Sequence, residues 1–311
     1  MVEVDKYQLK TELEPEESEM NVSGKIFLSG MEAGLEEVSF DLHKTFTIGF
    51  VSVNGNKTIH TSEEKDPWML LPSAKRITVK IPESPSDGIE LSICYGGKLE
   101  ALPEFGAQKE GEFALDDQIN NNLVELAKYS CWYPLFNIGG RFDLELVVSL
   151  PRRWKSICSG HRVRKYFEDG RVVTLWNSRG DWDIVVVASP DFQGERVKTE
   201  SGIIEIYHTN LPRRYLIREI EEVKNILECY IEKLGEIEKL GEPPSGVSFK
   251  HVYSPKKLGQ GRMGFARKGL VVTSEGRTLK ALREDGETSL GGWLTRSLIS
   301  GGLLELGRAT G

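Results

Sequence analysis

"YQLKTELEPEESEMNVSGKIFLSG", residues 7–30, contains two runs in which apolar and polar side chains alternate. In the first run Tyr7, Leu9 and Thr11 lie between polar neighbours, and the second run, residues 22–30, follows after a short connection. A period of two is typical of strands that bury one face. We therefore predict that the two runs pair as a β-hairpin and that this part of the chain is a β domain.

The same pattern continues along the chain to about residue 190. Turn signals separate the runs at short intervals, among them Asn54–Gly55, Asp169–Gly170 and Gly180. The further predicted strands lie in VSFDLHKTFTIGFVSVNG (38–55), RITVKIP (76–82), IELSICYGG (89–97), FDLELVVSLP (142–151), RKYFEDGRVVTLWNS (164–178) and WDIVVVAS (182–189). Many short strands at this spacing favour a β-sandwich or an open curved sheet. Because strands and helices do not alternate, a doubly wound parallel sheet is not expected.

The pattern changes near Ser189–Pro190, where one further strand, residues 202–210, precedes a helical segment. In residues 211–244 apolar side chains recur at spacings of one, three and four, which predicts a long helix with a single apolar stripe. The stripe is expected to contain Leu216, Ile217, Ile220, Val223, Ile226, Leu227, Tyr230, Ile231 and Leu234. Asn210 is the predicted N-cap, with Pro212 in the first turn, and Gly235 is the predicted stop.

Two further strands, residues 247–255 and 268–276, flank a Gly-rich loop at 256–267. The second part of the chain is therefore expected to mix helix and strand. We predict a mainly β fold with an α+β C-terminal part, divided into a β-rich domain of residues 1–190 and a second domain of residues 191–311.

The composition limits the classes of partner and location. A net charge of −7 argues against nucleic acid as the main partner, because phosphate binding needs a basic face. The acidic N-terminal segment is unlike a signal peptide, and no apolar run reaches the length of a membrane helix, so we expect a cytoplasmic protein without a membrane partner. Cytosolic chains rarely keep disulfides, so the four cysteines are expected to be buried thiols: Cys94, Cys131, Cys158 and Cys229.

No catalytic or metal-binding motif can be assembled from the residues themselves. The five histidines (His43, His60, His161, His208 and His251) lack the spacing of H-E-x-x-H, and each is expected to be a surface or satisfied interior residue. GQGRMG, residues 259–264, resembles G-x-G-x-x-G, but a strand rather than a helix follows it, so a dinucleotide site is not expected. A close backbone approach to a ligand remains an alternative for this loop.

Three other segments have an ordinary and a functional interpretation. SCWYPLF, residues 130–136, is interpreted as a plug between sheets, with an aromatic wall facing a cleft as the alternative. NSRGDWD, residues 177–183, is expected to be a turn before a buried strand. SEGRTLKALREDGE, residues 274–287, is expected to be a solvated loop leading into a helix.

Taken in order, these segments resemble the first part of the aminopeptidase N family, zinc metallopeptidases of the gluzincin group. The resemblance rests on residues 7–30, 38–55, 89–100, 142–160, 182–192, 227–236 and 261–276, and covers roughly residues 5–287. It implies a saddle-like β domain followed by the start of a thermolysin-like catalytic domain, with a peptide or protein as substrate. It also implies that Gly261, Met263 and Gly264 line the substrate cleft.

Two departures from the family's pattern bear on activity. The family's G-A-M-E-N loop holds the substrate's α-amine through its Glu, whereas residues 261–265 read G-R-M-G-F. After residues 274–287 the family places H-E-x-x-H, whose histidines bind zinc and whose Glu is the general base. This chain has GGWLTRSLISGG at 291–302 instead. We therefore expect no metal and no catalytic residue in this chain, which would be truncated before the zinc motif and inactive as encoded.

The genetic code permits an explanation for residues 293–302. Codons chosen for Trp293–Gly302, TGG CTC ACG AGA TCG CTC ATT TCT GGT GG, read from their third base as A-H-E-I-A-H-F-W-W. This is the missing zinc motif with an aromatic pair after it. We therefore hypothesise a frameshift near Leu290, with residues 290–311 translated out of frame; a natural tail is the alternative.

Two functions remain open at this point. The first is a zinc-metallopeptidase-like protein without its zinc motif. The second is a non-catalytic binding or scaffold module, in which the SCWYPLF segment and an open edge strand within residues 269–276 hold a protein partner.

Overall fold

The computed structural model describes residues 2–30, 34–64, 74–82, 88–99, 118–136, 140–199, 202–237, 247–256 and 264–284. The chain divides into two compact units, Met1–Pro190 and Asp191–Gly311. Each unit has its own core of buried apolar side chains.

The described residues of the first unit form fifteen strands in three sheets. In chain order the strands are β1 (Glu3–Glu14), β2 (Glu19–Ser29), β3 (Glu37–His43), β4 (Thr47–Val53), β5 (Asn56–Lys57), β6 (His60–Glu64), β7 (Ala74–Lys80), β8 (Ile89–Lys98), β9 (Gln118–Ile119), β10 (Val124–Leu126), β11 (Phe142–Pro151), β12 (Lys155–Cys158), β13 (His161–Glu168), β14 (Arg171–Asp181) and β15 (Val186–Ser189). The largest sheet has the order β13-β14-β11-β1-β2-β8-β4-β5, and the others have the orders β12-β15-β10-β9 and β3-β7-β6. The mainly β fold with open sheets agrees with the sequence prediction.

The hairpin predicted from residues 7–30 lies in the middle of the eight-stranded sheet. β1 and β2 pair antiparallel with Leu9 opposite Gly24, and a Cβ added at Gly24 would lie 2.1 Å from the carbonyl oxygen of Gln8. The position therefore requires glycine. On its other side β1 pairs in parallel with β11, which is more than a hundred residues away along the chain.

The SCWYPLF segment is a plug in the core of the first unit, as its ordinary interpretation predicted. Trp132 and Tyr133 are fully buried, and the Trp132 indole N–H donates a hydrogen bond of 3.0 Å to the carbonyl oxygen of Ile184. The hydroxyl of Tyr7 donates to the Pro134 carbonyl oxygen at 2.7 Å. The alternative of an aromatic wall facing a cleft is therefore wrong for these two rings, because they are enclosed by the sheets.

Two further expectations about the first unit can be compared with the structure. The turn expected at residues 177–183 is wrong for residues 177–181, because β14 continues to pair with β11 as far as Asp181, with Gly180 at φ 56° inside the strand. The buried strand expected after it is confirmed, since the residues from Ile184 to Ser189 are buried and include β15. Cys131 and Cys158 are buried as expected, but Cys94 is exposed. In the alternating burial of β8, Cys94 lies between the buried Ile93 and Tyr95, so it points to the opposite face.

His43, at the end of β3, gives the first unit a predicted dependence on pH. Burial, followed by the nearby charges of Lys44 and Lys75, lowers the pKa of His43 from 6.5 to about 4. Because the unfolded chain binds the proton more tightly between these pH values, stability is present above pH 6.5 and falls as the pH drops towards 4.

We expect this effect to lower the free energy of unfolding by about 1–2 kcal/mol between pH 7 and 4, after allowance for the partial exposure of the ring. The measurement is urea denaturation of the wild type and His43→Gln at several pH values. The wild type should lose more stability than the variant across this window, and parallel profiles would contradict the assignment.

The second unit combines five strands and two helices in its described residues. The elements are β16 (Gln193–Thr199), β17 (Gly202–His208), α1 (Arg213–Ile237), β18 (Val247–Ser254), β19 (Gly264–Arg267), β20 (Leu270–Ser274) and α2 (Glu275–Glu284). The sheet has the order β16-β17-β18-β20-β19. Its three inner strands run parallel, whereas β16 and β19 are antiparallel to their neighbours.

The helix α1 differs from its prediction at both ends and on one face. It begins at Arg213, with the Pro212 carbonyl accepting from the Tyr215 and Leu216 amides, so Asn210 lies too early to be the N-cap. It continues through Gly235, because one glycine weakens a helix without ending it. Ile217 is 56% exposed and is therefore not part of the buried stripe.

Neither helix in the described parts of the chain has the length and apolar character that crossing a membrane requires.

Candidate functional site at the edge of the second sheet

The candidate site is the short strand β19, which forms one edge of the five-stranded sheet. β19 pairs with β20 from Gly264 opposite Thr273 to Arg267 opposite Leu270, and within the described residues no strand lies on its other side. An edge strand presents backbone donors and acceptors to which an extended peptide can pair. The geometry is therefore suited to adding a strand from another chain.

This arrangement corrects two sequence expectations. Residues 264–267 were assigned to the Gly-rich loop but form a strand, and β20, which was expected to be an open edge, lies between β18 and β19. A four-residue strand with glycine at its start carries too little periodicity to be recognised. The edge position also depends on how the strands order themselves, which spacing does not encode.

Of the three residues predicted to line a cleft, Gly264 is placed at the first position of β19. Gly261 and Met263 lie outside the described residues. Gly264 has φ 152°, and an added Cβ would lie 2.4 Å from the carbonyl oxygen of Val272. Glycine therefore allows β19 to approach β20 closely here, whereas its role in substrate binding stays a prediction.

Gly264→Ala is expected to loosen the β19–β20 pairing, because the backbone angle and the contact with Val272 both disfavour a side chain. The expected cost is about 1–3 kcal/mol in the local opening of this edge. Hydrogen exchange of the β20 amides measures it. Gly49→Ala in β4 is the control, since its added Cβ would meet only the Cys94 carbonyl oxygen at 3.8 Å. Unchanged exchange in β20 would contradict the prediction.

The side chains of β19 form a small aromatic and cationic cluster. The Arg267 guanidinium lies 4.9 Å from the centre of the Phe265 ring, and its Nη1 donates to the Ala266 carbonyl oxygen at 2.8 Å. Arg267 is 93% shielded from solvent, so these contacts hold its orientation. The cluster therefore packs a buried guanidinium against the Phe265 ring on β19.

A network of buried polar side chains lies between α1 and the strands β18 and β20. Nδ1 of His251 lies 2.5 Å from Oε1 of Glu219, and Nε2 of His251 lies 2.9 Å from Oγ1 of Thr273, the residue opposite Gly264. The hydroxyls of Tyr215 and Tyr253 lie 3.0 Å apart, and burial raises the pKa of both tyrosines. His251 is thus a satisfied interior residue, as expected from the sequence.

Sequence reasoning missed Glu219 although a signal was present. Glu219 follows Leu216 by three residues and precedes Val223 by four, so it occupies a position of the apolar stripe. An acid on a buried helix face requires a polar partner. The partner, His251, lies 32 residues further along the chain.

Glu275, the first residue of α2, forms hydrogen bonds with the segment that precedes α1. Its carboxylate accepts hydrogen bonds from the Asn210 amide at 2.7 Å and the Thr209 amide at 3.0 Å, and also from the Thr209 hydroxyl. A carboxylate in the first turn of a helix is favoured by the helix dipole. Within the segment 274–287, the residues from Glu275 to Glu284 form α2, so the helix already begins at Glu275, where a solvated loop was expected.

The described residues do not bring together the ligands of a catalytic zinc. In the part of the chain that the structure describes, no three His, Cys, Asp or Glu side chains are grouped so that they could hold a metal. The remaining C-terminal segment, 285–311, contains neither histidine nor cysteine. A catalytic zinc site needs three protein ligands and an open position, and the described residues do not group such a set.

Comparison with known proteins gives a match in structure only. No model of a known protein family matches the chain, and no curated protein sequence does. The M1 zinc metallopeptidase from Deinococcus radiodurans matches with a TM-score of 0.60 and 12% identity, over 88% of this chain and 61% of that one. A mutant of it bound to a Tyr-Ser-Ala substrate matches with a TM-score of 0.59 and 12% identity, over 89% and 61%.

These matches show the fold of M1 peptidases, to which this chain is similar in its mainly β architecture. The chain spans about three fifths of the length of these structures.

Proposed function

We propose that the chain is a zinc-metallopeptidase-like protein of the aminopeptidase N type, with β19 as the place where an extended peptide binds. The observation that carries the proposal is the open antiparallel strand at the edge of a mixed sheet, in a fold that matches M1 peptidases over most of this chain. The domain of residues 1–190 would be the saddle-like domain, and residues 191–311 would belong to the thermolysin-like catalytic domain.

The proposed role of the β19 edge is binding rather than chemistry. Backbone groups of β19 would pair with the peptide, and the half-buried Phe265 ring would favour an apolar side chain nearby. The loop at 261–265 has no acid to neutralise a free N-terminus, so selectivity for an α-amine is not expected. Gly261, Met263 and Gly264 keep their proposed place in the cleft.

The 311-residue chain is proposed to be inactive as a peptidase, since it contains no H-E-x-x-H and no catalytic Glu can be assigned. We expect metal analysis of the purified chain to find no stoichiometric zinc. The frameshift hypothesis for residues 293–302 adds a second expectation. In an alternative reading frame, the gene should encode A-H-E-I-A-H-F-W-W at these codons.

Sequencing the gene across codons 290–311 decides the frame hypothesis. A protein expressed with the frame restored should bind stoichiometric zinc and hydrolyse peptides, and the unaltered chain should do neither. Codons without the alternative motif would eliminate the frameshift. A restored protein that binds zinc but cleaves no peptide would contradict the peptidase proposal itself.

The second candidate function is a non-catalytic protein-binding module. The buried SCWYPLF segment and the interior strand β20 cannot serve as its surfaces, so this candidate depends on an exposed strand edge such as β19. A partner segment that binds with equal affinity to the restored and the unaltered chain, and is never cleaved, would favour this function.

A further inference from the structure

The strand β13 in the first unit is exposed along its whole length. All eight of its residues face solvent, although it forms the edge of a sheet whose neighbouring strands alternate between buried and open positions. Of the six exposed large apolar side chains in the described residues, three lie on β13: Val163 (51%), Tyr166 (37%) and Phe167 (59%). Burial in the core therefore does not explain the sequence of this strand.

The backbone of β13 offers one open side. Its described partner is β14, and the pairing is regular from Arg164 to Glu168, with a register shift between Arg162 and Arg164. Asp169 and Gly170, both with positive φ, turn the chain into β14. On an antiparallel edge, every second residue directs its N–H and C=O away from the neighbour. The regular segment Arg164–Glu168 can therefore receive one short added strand.

Positive charge is concentrated around this edge. Arg162, Arg164 and Lys165 lie on β13, in a chain whose net charge is −7. Partial burial and the positive charges of Arg162 and Lys155 lower the pKa of Lys165, which shows that these cations are close enough to repel one another. A negatively charged ligand would relieve this repulsion.

The cations are held over aromatic rings. The Arg152 guanidinium and the Lys165 ammonium lie 5.5 and 5.7 Å from the centre of the Phe167 ring, and the Arg164 guanidinium lies 5.1 Å from that of Tyr166. Charges alone would protect an edge strand from aggregation. That role does not account for Phe167, whose large exposed ring would promote association rather than prevent it.

We propose that β13 is a docking site for an acidic, extended segment of a partner protein. The segment would add as a strand along Arg164–Glu168, with its carboxylates near Arg164 and Lys165 and an apolar side chain against Phe167. A polypeptide supplies the backbone donors and acceptors that an open edge can pair with, whereas a nucleic acid does not. The chain's overall negative charge also opposes a long polyanion.

The test is fluorescence anisotropy with the full chain and a short labelled peptide of repeating Glu-Glu-Val-Val (the Glu-Val peptide), which presents both carboxylates and apolar side chains on each face of an added strand. Binding that weakens with added salt is expected, and a Lys-Val peptide should not bind. Arg164→Glu/Lys165→Glu should weaken binding about tenfold or more, because like charges then face each other. Arg196→Glu/Lys198→Glu on the exposed edge strand β16 makes the same charge change in the second unit and should leave binding intact.

Three further measurements separate strand addition from simple charge attraction. A Glu-Val peptide methylated on alternate backbone nitrogens keeps its charge but loses donors, and should bind markedly more weakly. Circular dichroism checks that each variant is folded. If the double variant is unfolded, Phe167→Ser replaces it and should also weaken binding of the Glu-Val peptide. Equal binding of the methylated peptide, no binding of the Glu-Val peptide, or preferential binding of oligothymidylate would each overturn the proposal.

Discussion

Trp132→Ala is expected to lower the free energy of unfolding of the first unit by about 3–5 kcal/mol, the usual cost of removing a large aromatic side chain from a core. Trp132 is fully buried, and its indole N–H donates to the Ile184 carbonyl oxygen. Its own carbonyl oxygen accepts from the Tyr95 hydroxyl at 2.9 Å. The substitution leaves a cavity and deprives the buried Ile184 carbonyl of its donor, so both effects act in the same direction.

Urea denaturation monitored by hydrogen exchange of β1, β2 and β11 measures this loss for the first unit separately, because a chain with two units need not unfold in one step. Phe50→Ala on β4 is the matched control: the ring is 41% exposed, and we expect a loss below about 1 kcal/mol. Trp132→Phe should lie between the two. Equal losses for Trp132→Ala and Phe50→Ala would show that the plug does not stabilise the core.

Glu219→Ala is expected to destabilise the second unit by about 1–3 kcal/mol, the usual cost of leaving a buried hydrogen-bonding group without its partner. The substitution leaves Nδ1 of His251 without its hydrogen-bond partner and opens a space beside the Tyr215–Tyr253 pair. Because His251 also contacts Thr273 on β20, we expect faster hydrogen exchange at the β20 amides, next to the candidate site.

Glu221→Ala is the matched control on the same helix, where the side chain is exposed. Its effect should stay within about 0.5 kcal/mol. Glu219→Gln keeps an acceptor for His251 and should cost less than Glu219→Ala. If Glu219→Ala and Glu221→Ala are equally stable, the buried pair does not hold α1 against the sheet, and the structural role assigned to it is wrong.

Features formed by residues close in the sequence were predicted better than features that bring distant residues together. The alternation of Tyr7, Leu9 and Thr11 gave the β1–β2 hairpin correctly, because a hairpin brings together residues that are close in sequence. The pairing of β1 with β11 was not predicted. Nothing in the spacing of either strand specifies a partner so far away, and both strands would satisfy their periodicity in another sheet order.

The candidate site shows the same division. Gly264 was predicted to be a site residue from the family resemblance. Its close approach to Val272 gives a physical reason for glycine at this position. Phe265 and Arg267 were missed because residues 264–267 were assigned to a loop. Glu219 was visible as an acid in an apolar stripe, but its pairing with His251 required the packing of α1 on β18.

The sequence by itself determined many of the local elements, among them the longer strands of the first unit and the long amphipathic helix. Periodicity and composition are properties of neighbouring residues, and backbone geometry converts them directly into strands and helices. Only the tertiary structure decided which strands became edges, that Trp132 is enclosed, and that Glu219 meets His251. Those outcomes depend on which residues, far apart in the sequence, pack together and exclude water. No local stretch of the sequence specifies this.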